Sequence, residues 1–502
     1  MSLQGIVGPC RAPHTIEAVS RGFGGFMSGS GRWPAEAWIP LLAGILWLWH
    51  GPEHGLAGFL FALLPGCLLL GSGVAMLLMP GDRRISNFTA LGGLLGVLFS
   101  LPAVFFVGPA SALFLIAASV AGFVTAGVHT IRIAPRNDET PEVHPTLGIS
   151  AQVAADEALI AFWQLTFPLP KRADHVRVER EIADARALFD ASGWLEKPAD
   201  YHVAPPPVES PNLRQAKLGG LRYEHLSFES GYAPHPDEPG RERWLAHGPL
   251  RTAHAWVLRH GSEPRPWLVC IHGFQMGWPF MDLAAFSPSW LHRRLGLNLI
   301  VPTLPLHGLR KIGRVSGDGF LSLDILDVVH AVSQGLWDIR RMLGWVREQQ
   351  AVMGVGVMGY SLGGYHAALL ACLDDELGCA VAGIPLTDVM RAIERHGPPL
   401  HLREAEASGL DAAAMRAVLR VVSPLVLEPQ IPRERRYIFA GAADPIVTPD
   451  QVRDLWRHWD RPRIEWYRGG HITFRGHSSV IQWVDGAIRE SLLEDGLRLH
   501  RT

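Results

Sequence analysis

Val355-Gly356-Val357-Met358-Gly359-Tyr360-Ser361-Leu362-Gly363-Gly364 is the stretch on which the reading of this chain turns. An apolar run with β composition ends at Gly359, Ser361 follows two residues later, and two more glycines lead into residues 365–371, which have helical composition. The pattern Gly-x-Ser-x-Gly predicts a strand, a very tight turn and a helix, with Ser361 at the apex. Such a turn strains the backbone at Ser361 and leaves no room for side chains at positions 359 and 363. Gly359 and Gly363 meet that need. The turn also sets the hydroxyl beside the first turn of the following helix, whose free N–H groups and dipole favour negative charge.

Working outward, apolar β-type runs and helical stretches alternate from residue 221 onward. Strands are predicted at 223–228, 253–258, 267–271, 298–302, 352–358, 380–384, 437–440 and 463–467, with helices such as 325–349 and 450–459 between most of them. Apolar strands separated by helices imply a mainly parallel sheet covered on both faces, and the first two, joined without a helix, imply an antiparallel start. In such a sheet the chemistry collects at the carboxyl ends of the strands.

Three further strand ends carry reactive groups. The run 269–271 enters His272-Gly273-Phe274, a turn suited to give one oxyanion-binding N–H, that of Phe274; the second would come from Leu362. The strand at 437–440 leads through Gly441 to Asp444, where a carboxylate can accept Nδ1–H of a histidine. Past the last strand, Gly469-Gly470-His471 gives an imidazole the freedom to lean over the sheet edge toward Ser361. The order Ser361, Asp444, His471 is one of the known chain orders of a serine triad. His477 competes for the base; Asp374, Asp375 and Asp388 compete for the acid but read as helix-end residues or come too early. Asp450 suits an N-cap.

Together Gly359–Gly364, His272-Gly273, Asp444 and Gly470-His471 resemble the α/β-hydrolase superfamily, over 221–490, and within it the abhydrolase domain-containing serine esterases and lipases and the relatives of prolyl oligopeptidase. The Pro305-Leu306-His307-Gly308 turn is similar too. The resemblance implies a mostly parallel eight-stranded α/β-hydrolase fold, a serine nucleophile, no metal and no organic cofactor. It does not choose among esters, thioesters and peptides.

The first part of the chain is unlike that family. No Lys or Arg lies between Arg32 and Arg83, nor between Arg84 and Arg132. Those gaps hold apolar segments at 35–49, 55–79, 87–107 and 110–131. Three reach the ~20 residues that a hydrocarbon core requires; the first is shorter and holds Pro40. With four transmembrane helices all the flanking arginines fall on one side, as the positive-inside tendency demands. The expected division is a disordered tail at 1–32, a membrane region at 33–131, a helical connector with a Pro-rich linker at 132–220, and a catalytic domain at 221–502. A bacterial inner membrane with that domain on the cytoplasmic side is expected, and no cleaved signal peptide.

The connector helices at 151–165 and 174–189 show no catalytic grouping. An apolar face at 412–422 is expected to act as a lid, and His307, Arg310, Lys311 and Arg314 form a basic run that could meet lipid headgroups. The net charge of -2 offers no footprint for nucleic acid, and the five cysteines show neither metal nor disulfide spacing. The expected function is a membrane-anchored serine hydrolase that cleaves an ester or thioester of a small-molecule or lipid substrate. A prolyl-oligopeptidase-like serine peptidase and a non-catalytic membrane scaffold are the rivals; an acyl-ester panel against a peptide-amide panel separates the first two.

Overall fold

A computed structural model of the chain describes residues 34–494 apart from 52, 54, 167–171, 262, 350 and 351. The tail expected at 1–32 lies outside the described residues.

Among the described residues the apolar N-terminal part is mostly helical. Helices α1 (Trp38–His50), α2 (Gly55–Leu78) and α3 (Arg84–Ile133) follow one another, and α3 doubles back at Gly108, whose φ of 79° breaks the helix. Three segments are long and apolar enough to cross a membrane: Gly55–Leu78, Arg84–Phe105 and Val107–Ile133. The first apolar segment forms only the 13-residue α1. Small residues let these helices approach closely, as is usual where lipid replaces water: a Cβ on Gly93 would fall 2.6 Å from the backbone nitrogen of Phe123 across the hairpin. The Trp47 indole donates to the Ser119 hydroxyl at 2.9 Å and ties α1 to the second arm of α3.

Two connector helices, α4 (Leu147–Thr166) and α5 (Arg172–Ala191), lead to the sheet. Its strands are β1 (Asn212–Leu218), β2 (Leu221–Glu229), β3 (Thr252–Leu258), β4 (Arg265–Ile271), β5 (Asn298–Thr303), β6 (Val352–Tyr360), β7 (Cys379–Gly383), β8 (Arg436–Gly441) and β9 (Arg463–Tyr467). Between them run α6 (Arg241–Leu245), α7 (Pro279–Phe286), α8 (Ile325–Arg347), α9 (Leu362–Leu373), α10 (Val389–His396), α11 (Pro399–Ala407), α12 (Ala412–Leu419) and α13 (Pro449–His458); α14 (Ser478–Ile488) closes the domain. The spatial order is β1-β2-β3-β5-β4-β6-β7-β8-β9. The junctions β1·β2, β2·β3 and β3·β5 are antiparallel and the rest parallel.

The sheet thus has nine strands where eight were expected, the extra one lying in what reads as linker. Central strands such as β5, β6 and β7 are buried on both faces, which is why they appear as unbroken apolar runs. One face is covered by α4, α5, α8, α9, α12 and α13, through side chains such as Ile160, Ile182, Leu336 and Leu455. The other is covered by α7 and α14, through Leu283, Phe286, Val484 and Ile488.

Candidate active site

Register aligns the strand ends before any side chain is considered. Ile271 pairs with Gly359, Tyr360 with Gly383, Gly383 with Phe439, and Gly441 with Tyr467. The turns after β4, β6, β8 and β9 therefore leave the sheet along one edge. Ser361 stands at the apex of the second, with φ 56° and ψ -113°, a conformation that a non-glycine residue holds only under constraint from its surroundings. The reason for the flanking glycines is direct. A Cβ at residue 359 would lie 2.0 Å from the Gly363 carbonyl oxygen, and one at residue 363 would lie 1.9 Å from that of Ile271.

After β8, Asp444 is buried and accepts from the backbone N–H groups of Ile446 and Val447 through Oδ1, each at 2.9 Å. Its other oxygen meets Nδ1 of His471 at 2.6 Å. The structure thus brings the predicted acid and base together. Burial alone would depress the His471 pKa, but the charge and hydrogen bond of Asp444, with a smaller push from Asp156, outweigh it and hold it above 6.5. The loop carrying His471 is pinned to the elbow by Phe474, whose ring packs on Tyr360 with centroids 4.6 Å apart. Among the described residues no hydrogen bond joins the Ser361 hydroxyl to His471. Catalytic hydrogen bonds are commonly long before substrate binds.

The competitors are occupied elsewhere. His477 faces the Gln152 side-chain oxygen at 3.2 Å, Asp374 pairs with Arg347 at 2.7 Å, Asp388 caps α10 through the Arg391 N–H, and Asp375 is exposed. Asp450 is not the N-cap of α13, a position held by Thr448; it pairs with Arg391 at 3.0 Å.

Beside Ser361, Leu362 begins α9 and Phe274 follows the His272-Gly273 turn; all three of Ser361, Leu362 and Phe274 line one cavity of about 420 Å³. His272 fixes the turn. Its Nε2 accepts from the Leu304 N–H at 3.1 Å, so Nδ1 carries the proton and donates to the Gly273 carbonyl at 2.8 Å. The cavity wall is largely apolar, with Trp163, Phe320, Ile393, Leu402 and Ile446 among its side chains.

Several expectations need correction here. The cover over the cavity comes from α10, α11 and the connector helix α5, while α12 packs into the core through Met415 and Val418. An apolar helical face seeks burial, and here the core supplied it. Nor is the run His307 to Arg314 a headgroup site as a whole: His307 and Arg310 are buried, and Arg310 pairs with Asp338 at 2.8 Å.

The largest correction concerns α4. Its Asp156 is fully buried and accepts from the backbone N–H of His471 at 2.5 Å and of Ile472 at 3.0 Å. Burial, and then the charge of Asp444, push its carboxyl up to about 8. Two turns on, the Trp163 indole donates to the Gln275 side chain at 2.8 Å and packs its ring on Phe274. One connector helix thus holds both the His471 loop and the turn that carries Phe274. An adjacent acid pair, Asp156-Glu157, on the otherwise apolar face of α4 was the signal in the sequence.

The strand order, the elbow after β6 and the positions of Asp444 and His471 after β8 and β9 define an α/β-hydrolase fold, here carrying an added edge strand and a preceding region of apolar helices. The chain belongs to the family of the uncharacterized proteins Rv2627c and MT2702 of Mycobacterium tuberculosis, being 39% identical to each over 365 residues, which are 72% of this chain and 87% of theirs. No protein-family model matches it. Among solved structures it is similar to acetyl xylan esterase 1 from Thermoanaerobacterium (16% identity, 61% of this chain and 93% of that one, TM-score 0.42) and to the acylaminoacyl peptidase of Pyrococcus horikoshii (14%, 54% and 39%, TM-score 0.33). Likenesses this remote bear on fold at most.

Proposed function

We propose that the chain is a membrane-anchored serine hydrolase that cleaves ester or thioester bonds of an acyl or lipid-like substrate. The observation that carries this is the 2.6 Å bond between His471 and Asp444 at the sheet edge where a strained Ser361 opens into an apolar cavity. The three apolar helices long enough to cross a membrane support the anchoring, and the arginines flanking them support a cytoplasmic catalytic domain.

In this reading His471 Nε2 takes the hydroxyl proton as Ser361 Oγ attacks the carbonyl carbon. The resulting oxyanion rests on the Leu362 and Phe274 N–H groups, where one donor is worth about 3 kcal/mol of barrier. Collapse breaks the bond to the alcohol or thiol, which leaves with the proton from His471. Water then attacks the acyl-Ser361, gives its proton to His471, and the acid departs as Ser361 regains a proton. Asp444 fixes the tautomer of His471 and favours the imidazolium form. Replacing Ser361 by Ala abolishes labelling by a fluorophosphonate probe with expression unchanged; labelling that survives the substitution contradicts the assignment.

A further inference from the structure

A second recess, of about 550 Å³, lies between α2, the start of α3, the end of α4 and the Pro398-Pro399 turn that precedes α11. Its wall is mostly apolar, with Leu68, Met79, Ile85, Phe88 and Leu165, and its charged rim is the Asp82–Arg84 pair, closed at 2.5 Å. Most of this wall belongs to the helices assigned to the membrane.

Two observations join the recess to the cavity at Ser361. Pro398 lines both. Trp163 lines the cavity, while the next two residues of α4, Gln164 and Leu165, line the recess. The partition is therefore a proline and the last turn of one helix. Its hydrogen bonds are long: Asn87 donates to the Gln164 side-chain oxygen and Gln164 donates to the His396 carbonyl, each at 3.3 Å. Leu165, which lines the recess, is 63% exposed, and Phe162 on the same helix and Leu400 next to Pro399 are 51% and 57% exposed, so apolar surface continues from the recess onto the domain that carries Ser361.

We propose that this recess admits the acyl chain of a bilayer lipid ester and passes it to Ser361 across the Pro398 partition, so that substrate arrives from the membrane and not from water. The proposal rests on the serine-hydrolase reading above. A long acyl chain that left the bilayer through water would expose every methylene on the way, whereas this route keeps it against apolar side chains. The polar end of the lipid would stay at the level of Asp82, Arg83 and Arg84, beside the aqueous boundary. The proximity of Arg83 to the lid, donating to the Arg395 carbonyl at 3.0 Å, places that boundary next to α10.

Gly71 provides the test. It lines the recess, and a Cβ there would meet nothing within 4 Å, so a side chain can start into the space from an unobstructed backbone position. The full chain is reconstituted in phosphatidylcholine vesicles and given 4-methylumbelliferyl palmitate or the acetate, with rates normalised to fluorophosphonate-reactive sites. In Gly71→Trp the palmitate-to-acetate ratio falls at least about tenfold, and in Gly486→Trp, at an equally open glycine of α14, it stays at the native value. An unchanged ratio in Gly71→Trp overturns the route and leaves the hydrolase reading standing. If the native chain turns over neither ester and takes no probe, the reading itself fails. Binding is read separately in Ser361→Ala with a diazirine-bearing palmitoyl ester: cross-links to residues 67–88 or 398–399 support the recess as an acyl site, and cross-links found only elsewhere overturn it.

Discussion

Asp156 supplies the His471 loop with acceptors that the loop does not provide for itself. Two consecutive backbone N–H groups, of His471 and Ile472, end on its carboxylate. Removing it as Asp156→Ala strands the His471 N–H in a buried setting, at about 1–3 kcal/mol, and that of Ile472 in a partly buried one, and should lower kcat by about tenfold to a hundredfold. The pH profile distinguishes positioning from mere folding. His471 must be neutral to act as base, so kcat/KM rises with pH through a pKa held above 6.5 by neighbouring carboxylates. Asp156→Asn removes a carboxyl that favours the imidazolium only as it ionises, near about 8, and so moves the upper part of the acid limb to lower pH. It restores part of the rate lost in the Ala variant, because its oxygen still accepts one N–H. An acid limb unmoved in both variants would contradict the placement. Gly470 belongs to the same arrangement: a Cβ there would stand 2.1 Å from Asp156 Oδ2, so Gly470→Ala must push the helix and the loop apart and should reduce activity about as much as Asp156→Ala.

At the scale of elements, α4 joins the apolar hairpin of α3 to the site. The Ser150 carbonyl at its start would lie 1.9 Å from a Cβ on Gly127 of α3, its middle holds the His471 loop, and its end holds the turn after β4. A fragment of residues 140–502 keeps this helix and should turn over short p-nitrophenyl esters in detergent. One of residues 221–502 lacks α4, α5 and β1 and should be at least about a hundredfold slower; equal activity would show that α4 is dispensable. The same elements explain what could be read in advance. The central predicted strands were legible because burial on both faces demands continuous apolar runs, while β2 and β9, only partly buried, showed through their β-type side chains. β1 was not, because Asn-Leu-Arg-Gln-Ala-Lys-Leu is a half-exposed edge strand whose polar side chains blunt the edge and resemble linker. Elbow and turn were legible since their geometry is local. The acid pair Asp156-Glu157 marks α4 as unusual, but its partner lies 315 positions away, and nothing local to the helix names His471.

For the molecule as a whole, Arg83 at the start of the long apolar helices ties them to α10 beside the cavity, so the proposed anchoring and the proposed chemistry would be parts of one design. The arginines that flank the apolar helices make a prediction about topology. A cysteine placed at residue 108, in the turn between the arms of α3, should react with an impermeant maleimide in intact cells, and one at residue 81 should not; the reverse pattern would invert the catalytic domain's side. The central claim is that Ser361 becomes acylated. Acid-quenched reaction of the full chain with a long-chain p-nitrophenyl ester, followed by peptide mass spectrometry, should find the acyl mass on the peptide containing Ser361 and on no peptide in Ser361→Ala. Ester turnover with no adduct on that peptide, or an adduct that persists in Ser361→Ala, would contradict the account.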